Sequence, residues 1–263
     1  MADGRWSPGR KEADADEFRP VLDIVEPGHQ RRLTVLLRLL LLIPQFIVLF
    51  FLHIAAFFTV IAGWFAALVL GRLPDPVFRF LAGFLGYDMR VSAGQMLLVD
   101  RYPPFALTPP PDYPVRTEVR PTALNRLAVL FRIFLMIPAA IVQSLAVYGW
   151  WALAFVWWVI TLVLGRMPRP LFEATAATLR YRMRFSAYTM MLTPAYPKGL
   201  FGDDGLAVPQ GHPRSATRPL VMSSAGKWLV VLFLVLGLLG NVTTSVTTAT
   251  SDPDDTTRLS GTP

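Results

Sequence analysis

Two stretches of the chain, residues 39–71 and 133–165, each run 33 residues without Asp, Glu, Lys or Arg. A helix of that length is about 50 Å long, against a hydrocarbon core of about 30 Å. One straight crossing would leave much apolar surface in water, so the pattern predicts two antiparallel arms per run. Arg38 and Arg72 bracket the first run, and Arg132 and Arg166 the second. Basic residues near span ends mark the cytoplasmic side, so both ends of a run are expected there. The predicted membrane hairpins cover about 33–71 and 127–165, turning near His53–Ala56 and Val147–Trp150. Pro44 and Pro138 should kink the first arms. Gly71 and Gly165, with the prolines behind them, should end the second arms.

The stretches after the hairpins, about 77–99 and 171–193, mix apolar residues at helical spacing (Phe78, Leu81, Leu85, Met89) with charge. Arg180, Arg182 and Arg184 fall within five residues, and one arginine at a bilayer centre costs about 2.5–3.5 kcal/mol. Interfacial amphipathic helices are expected there instead. Residues 21–25 and 115–119 read as short extended segments able to pair as strands. Residues 226–246 read as a fifth, C-terminal transmembrane helix.

The apolar runs belong to a larger repeat. A shift of 94 residues places Arg32 on Arg126, Arg38 on Arg132, Ile43-Pro44 on Ile137-Pro138, Trp64 on Trp158 and Gly71-Arg72 on Gly165-Arg166. Matching of Arg, Gly, Pro and Trp in register marks a true duplication. The expected organisation is a disordered cytoplasmic tail (1–18), repeat units at 19–105 and 113–200, and a Pro-rich linker between them (106–112). A basic linker (201–225), the last span and a disordered tail (247–263) follow. The fold class is thus an all-α integral membrane protein of two tandem helical-hairpin repeats, with short strands at the repeat starts.

Composition agrees: 53% of residues are apolar and 16% charged, against roughly 25% charged in ordinary globular chains. There is no cysteine, and no signal peptide pattern opens the chain. The net charge of +7 could suggest nucleic acid, but the positive-inside bias accounts for it, so no nucleic-acid partner is expected. Of 25 Lys and Arg, 23 precede the last span, Lys227 lies at its start and only Arg258 follows it. The N-terminus is therefore expected in the cytoplasm and the C-terminus outside the inner membrane.

Candidate chemistry is sparse. His29, His53 and His212 are scattered, and no catalytic, metal or cofactor motif is found. Asp75, Asp88, Asp100 and Glu173 would serve a lipid-modifying enzyme by position only. Ala55, Thr59, Gly63 and Ala67 form a small-residue stripe expected to pack hairpin arms. The duplicated Arg72, Arg90, Arg166 and Arg184 are candidate contacts to anionic lipid headgroups, each worth about 1 kcal/mol, or plain topology anchors. A protein partner or a second copy of the chain stays open.

The order Ile-Pro, apolar run, Gly-Arg-x-Pro, arginine-bearing helix and DRYPPF (residues 100–105) resembles the bacterial membrane family called domain of unknown function 4389. That family often carries its unit in duplicate, notably in actinobacteria. The second copy keeps Ile137-Pro138, Gly165-Arg166, Pro168-Arg169 and Leu171-Phe172, but retains only Tyr196-Pro197 of the DRYPPF box. The resemblance implies this architecture and no activity. The expected role is a non-enzymatic envelope scaffold or lipid- and partner-binding module. The alternatives are a transporter or channel subunit, which two units facing the same way argue against, or a lipid enzyme.

Overall fold

The computed structural model describes residues 18–25, 28–203 and 215–250, with side chains to Asn241. The polar tails expected at either end lie almost wholly outside the described residues. Strand β1 (Val21–Ile24) opens the first unit, followed by helices α1 (Arg32–Leu36), α2 (Arg38–Leu70) and α3 (Asp75–Gln95). The second unit repeats this with β2 (Val115–Glu118), α4 (Arg126–Leu130), α5 (Arg132–Ala152), α6 (Ala154–Leu164) and α7 (Arg169–Thr189). Helix α8 (Ser224–Thr250) has no counterpart.

The apolar runs do not fold into hairpins of their own. Helix α2 continues for 33 residues through His53–Ala56, where neither Gly nor Pro breaks it. In the second unit the helix is interrupted only at Leu153, and one residue cannot reverse a chain. The reversal comes where the chain supplies the residues for it. Gly71 and Gly165 adopt φ of 69° and 64°, their amides bonded back to Ala67 and Thr161, and Pro74 and Pro168 lead into the next helix.

The returning arms are therefore α3 and α7. Arg38 at the start of α2 donates to the carbonyls of Gly94, at the end of α3, and Val99, just beyond it, and Gln45 donates to Pro103 O at 2.7 Å. The His53 ring lies edge-on to Phe84, with centroids 4.9 Å apart. These arms correct the expectation of interfacial helices. Residues 84–94 of α3 are buried without exception, and α7 is buried over most of its length. Their charges tolerate this because carbonyls and carboxylates from distant segments satisfy them.

The two units are related by an internal two-fold axis. The strands pair antiparallel, with Val21 opposite Glu118 and Ile24 opposite Val115. Adding 94 to the first member and subtracting 94 from the second turns each pair into the other. The same exchange relates Gln30 N–Gly165 O to Leu124 N–Gly71 O, both 2.8 Å. It also relates the Trp64 indole on Val129 O (3.1 Å) to the Trp158 indole on Val35 O (2.9 Å). Each long helix thus starts where the other ends, and the two run antiparallel. They do not pack on each other; α3 and α7 lie between and touch at the axis, where Arg182 binds Asp88 at 3.0 and 3.1 Å. Asp88 and Arg182 are themselves 94 apart. The β-ribbon sits on α3 and α7, away from the long helices.

Helix α8 packs along α5 and α7. A Cβ at Gly149 would lie 1.7 Å from Phe233 O, and one at Gly237 would lie 2.1 Å from Leu145 O. The pairing order makes α8 antiparallel to α5, backbone against backbone.

Candidate lipid-facing site

Helix α2 turns Arg38, Leu42, Gln45, Leu49, Ala56, Gly63 and Ala67 inward. Apart from His53 and Thr59, the rest of it is apolar and much of it bare: Phe50, Phe57, Phe58 and Phe65 are each about 60% exposed, and Val69 is 71% exposed. Phe134, Ile141, Phe155 and Val163 continue the pattern on α5 and α6. Isolated exposed apolar side chains are ordinary, but a face running the length of such helices is not. Three helical stretches are long and apolar enough to cross a membrane: Arg38–Leu70, Arg132–Ala152 and Ser224–Asn241.

Charge collects around the ribbon instead. Arg218 bridges Asp23 and Glu118, Arg120 binds Glu118 at 2.7 Å, and the exposed Arg101 binds Asp112 at 2.7 Å. Side-chain hydrogen bonding to Arg101 holds the Asp112 carboxyl below its ordinary range. The Tyr113 hydroxyl donates to Arg101 O, and burial pushes its titration up to about 12, against the pull of Arg90, Arg38 and Arg101.

The four duplicated arginines separate into two kinds. Arg72 and Arg166 are exposed at the far ends of α2 and α6. Arg90 and Arg184 are buried and cannot meet a headgroup where they stand. Arg90 donates to the carbonyls of Ala106 and Leu107. Arg184 donates to Lys198 O at 2.7 Å and Pro20 O at 3.3 Å, beside Asp203. Burial lowers both guanidinium titrations, and Asp203 opposes this at Arg184. No sequence pattern signals this, because acceptors 14 to 17 residues away and beyond leave no periodic trace. Arg38, at the border of the first apolar run, also points inward and is bound to Asp100 at 3.0 Å.

A cavity of about 290 Å³ opens beside Arg72, where α2 turns into α3. Arg72, Asp75 and Thr122 line it, with Phe78, Met191 and Leu192 as its apolar wall. Arg72 and Asp75 make no side-chain hydrogen bond or ion pair among the described residues, and the buried Thr122 hydroxyl has no partner. The Leu124 N–Gly71 O bond fixes the edge of the cavity. Under the two-fold, Asp75 falls on Arg169 and Ala123 on His29, whose ring packs against Gly165.

The remaining candidate carboxylates are dispersed. Asp88 binds Arg182, Asp100 binds Arg38, and Glu173 accepts from Ser223 and Arg169. Among the described residues no cluster of His and carboxylates could hold a metal. Ala55 of the small-residue stripe is exposed, while Gly63 faces Leu73 and Val77 in the return arm.

No curated protein and no solved structure matches the chain. The family model described as Domain of unknown function (DUF4389) matches it twice, over residues 32–106 and 126–200, together more than half the chain. These boundaries enclose in each copy the long apolar helix, the Gly-Arg-x-Pro turn, the buried return helix and the segment its arginine holds. The chain belongs to this family and carries its unit in tandem.

Proposed function

We propose that the duplicated core is a membrane-embedded plate whose long helices lie along one leaflet rather than across the bilayer, and that it acts as a non-enzymatic scaffold binding lipid. The observation that carries this reading is the place of the two-fold axis. The axis exchanges the two ends of the long helices, so anything on it stands at half their height. The β-ribbon with Asp23, Arg116 and Glu118 is on it, and so is the Asp88–Arg182 pair. Were α2 to cross, this charged ribbon and its neighbouring exposed loop would sit at the bilayer midplane, where unsatisfied polar groups and charges each cost several kcal/mol. Crossing would also need a tilt of about 50° to fit 50 Å into 30 Å, beyond the usual range of about 0–40°.

With the axis along the membrane normal these conflicts vanish. The ribbon faces water and the bare phenylalanines face acyl chains. Arg72 and Arg166 come to the same headgroup level, and both units face one side, as the positive-inside bias supports for the cytoplasmic leaflet. Helix α8, antiparallel to α5, then lies along the membrane too, which replaces the expected five crossings. Partners in this reading are phospholipids, with anionic ones drawn to the exposed arginines.

The chain has no cysteine of its own, so single cysteines report cleanly. Nitroxides at Ile43, Ile54 and Phe65, on one exposed line of α2, should show equal depth in vesicles. A profile deepest at Ile54 and shallow at both ends would sink the plate. Cysteines at His29 and Ala123 should label from the same side of sealed vesicles; labelling from opposite sides would favour inverted repeats and a transporter.

A further inference from the structure

We infer that the cavity beside Arg72 takes the zwitterionic headgroup of phosphatidylethanolamine, an inference that rests on the membrane-embedded reading above and names its lipid. The cavity presents one cation, Arg72, and one anion, Asp75, to the same space. A guanidinium suits a phosphate, and charge-assisted bonds of this kind are the strong ones. Asp75 is the discriminating group. A carboxylate beside an anion site repels a purely anionic headgroup, but it accepts from a primary ammonium two carbons beyond the phosphate. A quaternary ammonium offers Asp75 no hydrogen to share.

The surroundings fit a lipid rather than a soluble compound. Val69 and Leu70, more than half exposed, lead away from the cavity along α2, and Phe78 and Leu192 wall it. A diacylglycerol tail can follow this line while the head stays at Arg72. The second unit lacks the arrangement. There Arg169 replaces Asp75, His29 occupies the place of Ala123, and Gly28 stands where Thr122 would. The duplicated sites have therefore diverged in charge: Asp75 has no ion pair among the described residues, whereas its counterpart Arg169 is paired with Glu173.

The test uses the full chain in detergent micelles carrying trace lipid, with retained lipid counted by native mass spectrometry. This readout needs no bilayer, so it fails independently of the depth profile that tests the plate. Wild type should retain phosphatidylethanolamine about tenfold over phosphatidylglycerol and phosphatidylcholine. Asp75→Asn should abolish that preference while leaving phosphate-dependent retention. Arg72→Gln should lose all three lipids. Asp75→Arg, which copies the second unit, should reverse the order in favour of phosphatidylglycerol. Equal retention of the three lipids by wild type, or a preference that survives Asp75→Asn, overturns the inference. So does displacement of the lipid by an equal concentration of soluble phosphoethanolamine, which would assign the cavity to a free metabolite. Both positions, Arg72 and Asp75, are exposed, and a folded thermal transition in each variant excludes collapse as the cause.

Discussion

Arg38 and Arg132 occupy equivalent places and solve the same problem with different partners. Each is buried and clamps carbonyls at the end of its return helix: Gly94 and Val99 for Arg38, Tyr188 and Thr193 for Arg132. Arg38 adds Asp100 from the DRYPPF box, whereas Arg132, facing Pro194 there, stacks over the Tyr188 ring at 4.2 Å. Arg38→Met strands a carboxylate as well as carbonyls and should cost about 2–4 kcal/mol, more than Arg132→Met, in denaturant unfolding of the detergent-solubilised protein. Tyr113 gives a pH dependence. Its titration near 12 stands above the ordinary 10.0, so the fold favours the neutral phenol. The resulting stability is complete below pH 10 and is lost as pH rises through 12, by at most about 3 kcal/mol. Tyr113→Phe should flatten the alkaline limb of a stability profile between pH 9 and 12. These side chains were the least legible part of the sequence. An inward arginine and a snorkelling one read alike until the carbonyls that receive them are placed.

The helix ends were legible and the helix interiors were misread. Gly71 and Gly165 stop the long helices where expected, because a left-handed residue followed by proline leaves no alternative. The short strands also fall at 21–24 and 115–118, within the segments expected to be extended. The hairpin turn at His53–Ala56 was an inference from bilayer thickness, not from those residues, and it failed because nothing local bends the chain there. The buried return helices are illegible for a related reason: three arginines within five residues of α7 argue against lipid, but that does not put them in water, because the protein interior can satisfy them. Contacts between elements give two further tests. Asp88→Arg or Arg182→Asp alone opposes like charges at the axis and should cost about 1–3 kcal/mol, discounted for the partly exposed Arg182. Because the two positions are symmetry mates, the double exchange should recover most of that loss in thermal unfolding. Gly149→Val forces a side chain into Phe233 O and should detach α8 from α5, read as protease access to the C-terminal helix.

At the scale of the whole molecule the duplication was visible at once, but its geometric use was not. Sequence identity between copies says nothing about which surfaces they share. The shared surfaces are the ribbon, the crossing of α3 and α7, and the two places where one unit's helix end meets the other's beginning. Neither unit closes its own ends, so neither should be stable by itself. Cutting the chain within the exposed Pro-rich linker at 108–111 and co-expressing the pieces should yield a stoichiometric complex on affinity purification. Expressed alone, either piece should aggregate.

A residue lying on the axis of a symmetric homodimer meets its own twin, so charge there can only repel or be avoided. Fusing the two copies lifted that constraint. Asp88 and Arg182 hold one structural address under two identities, and attraction became available where two identical subunits would have met like with like. An acid or base introduced at one address can now be answered at the other. A single-unit relative built on the same dimer would have to keep that address neutral.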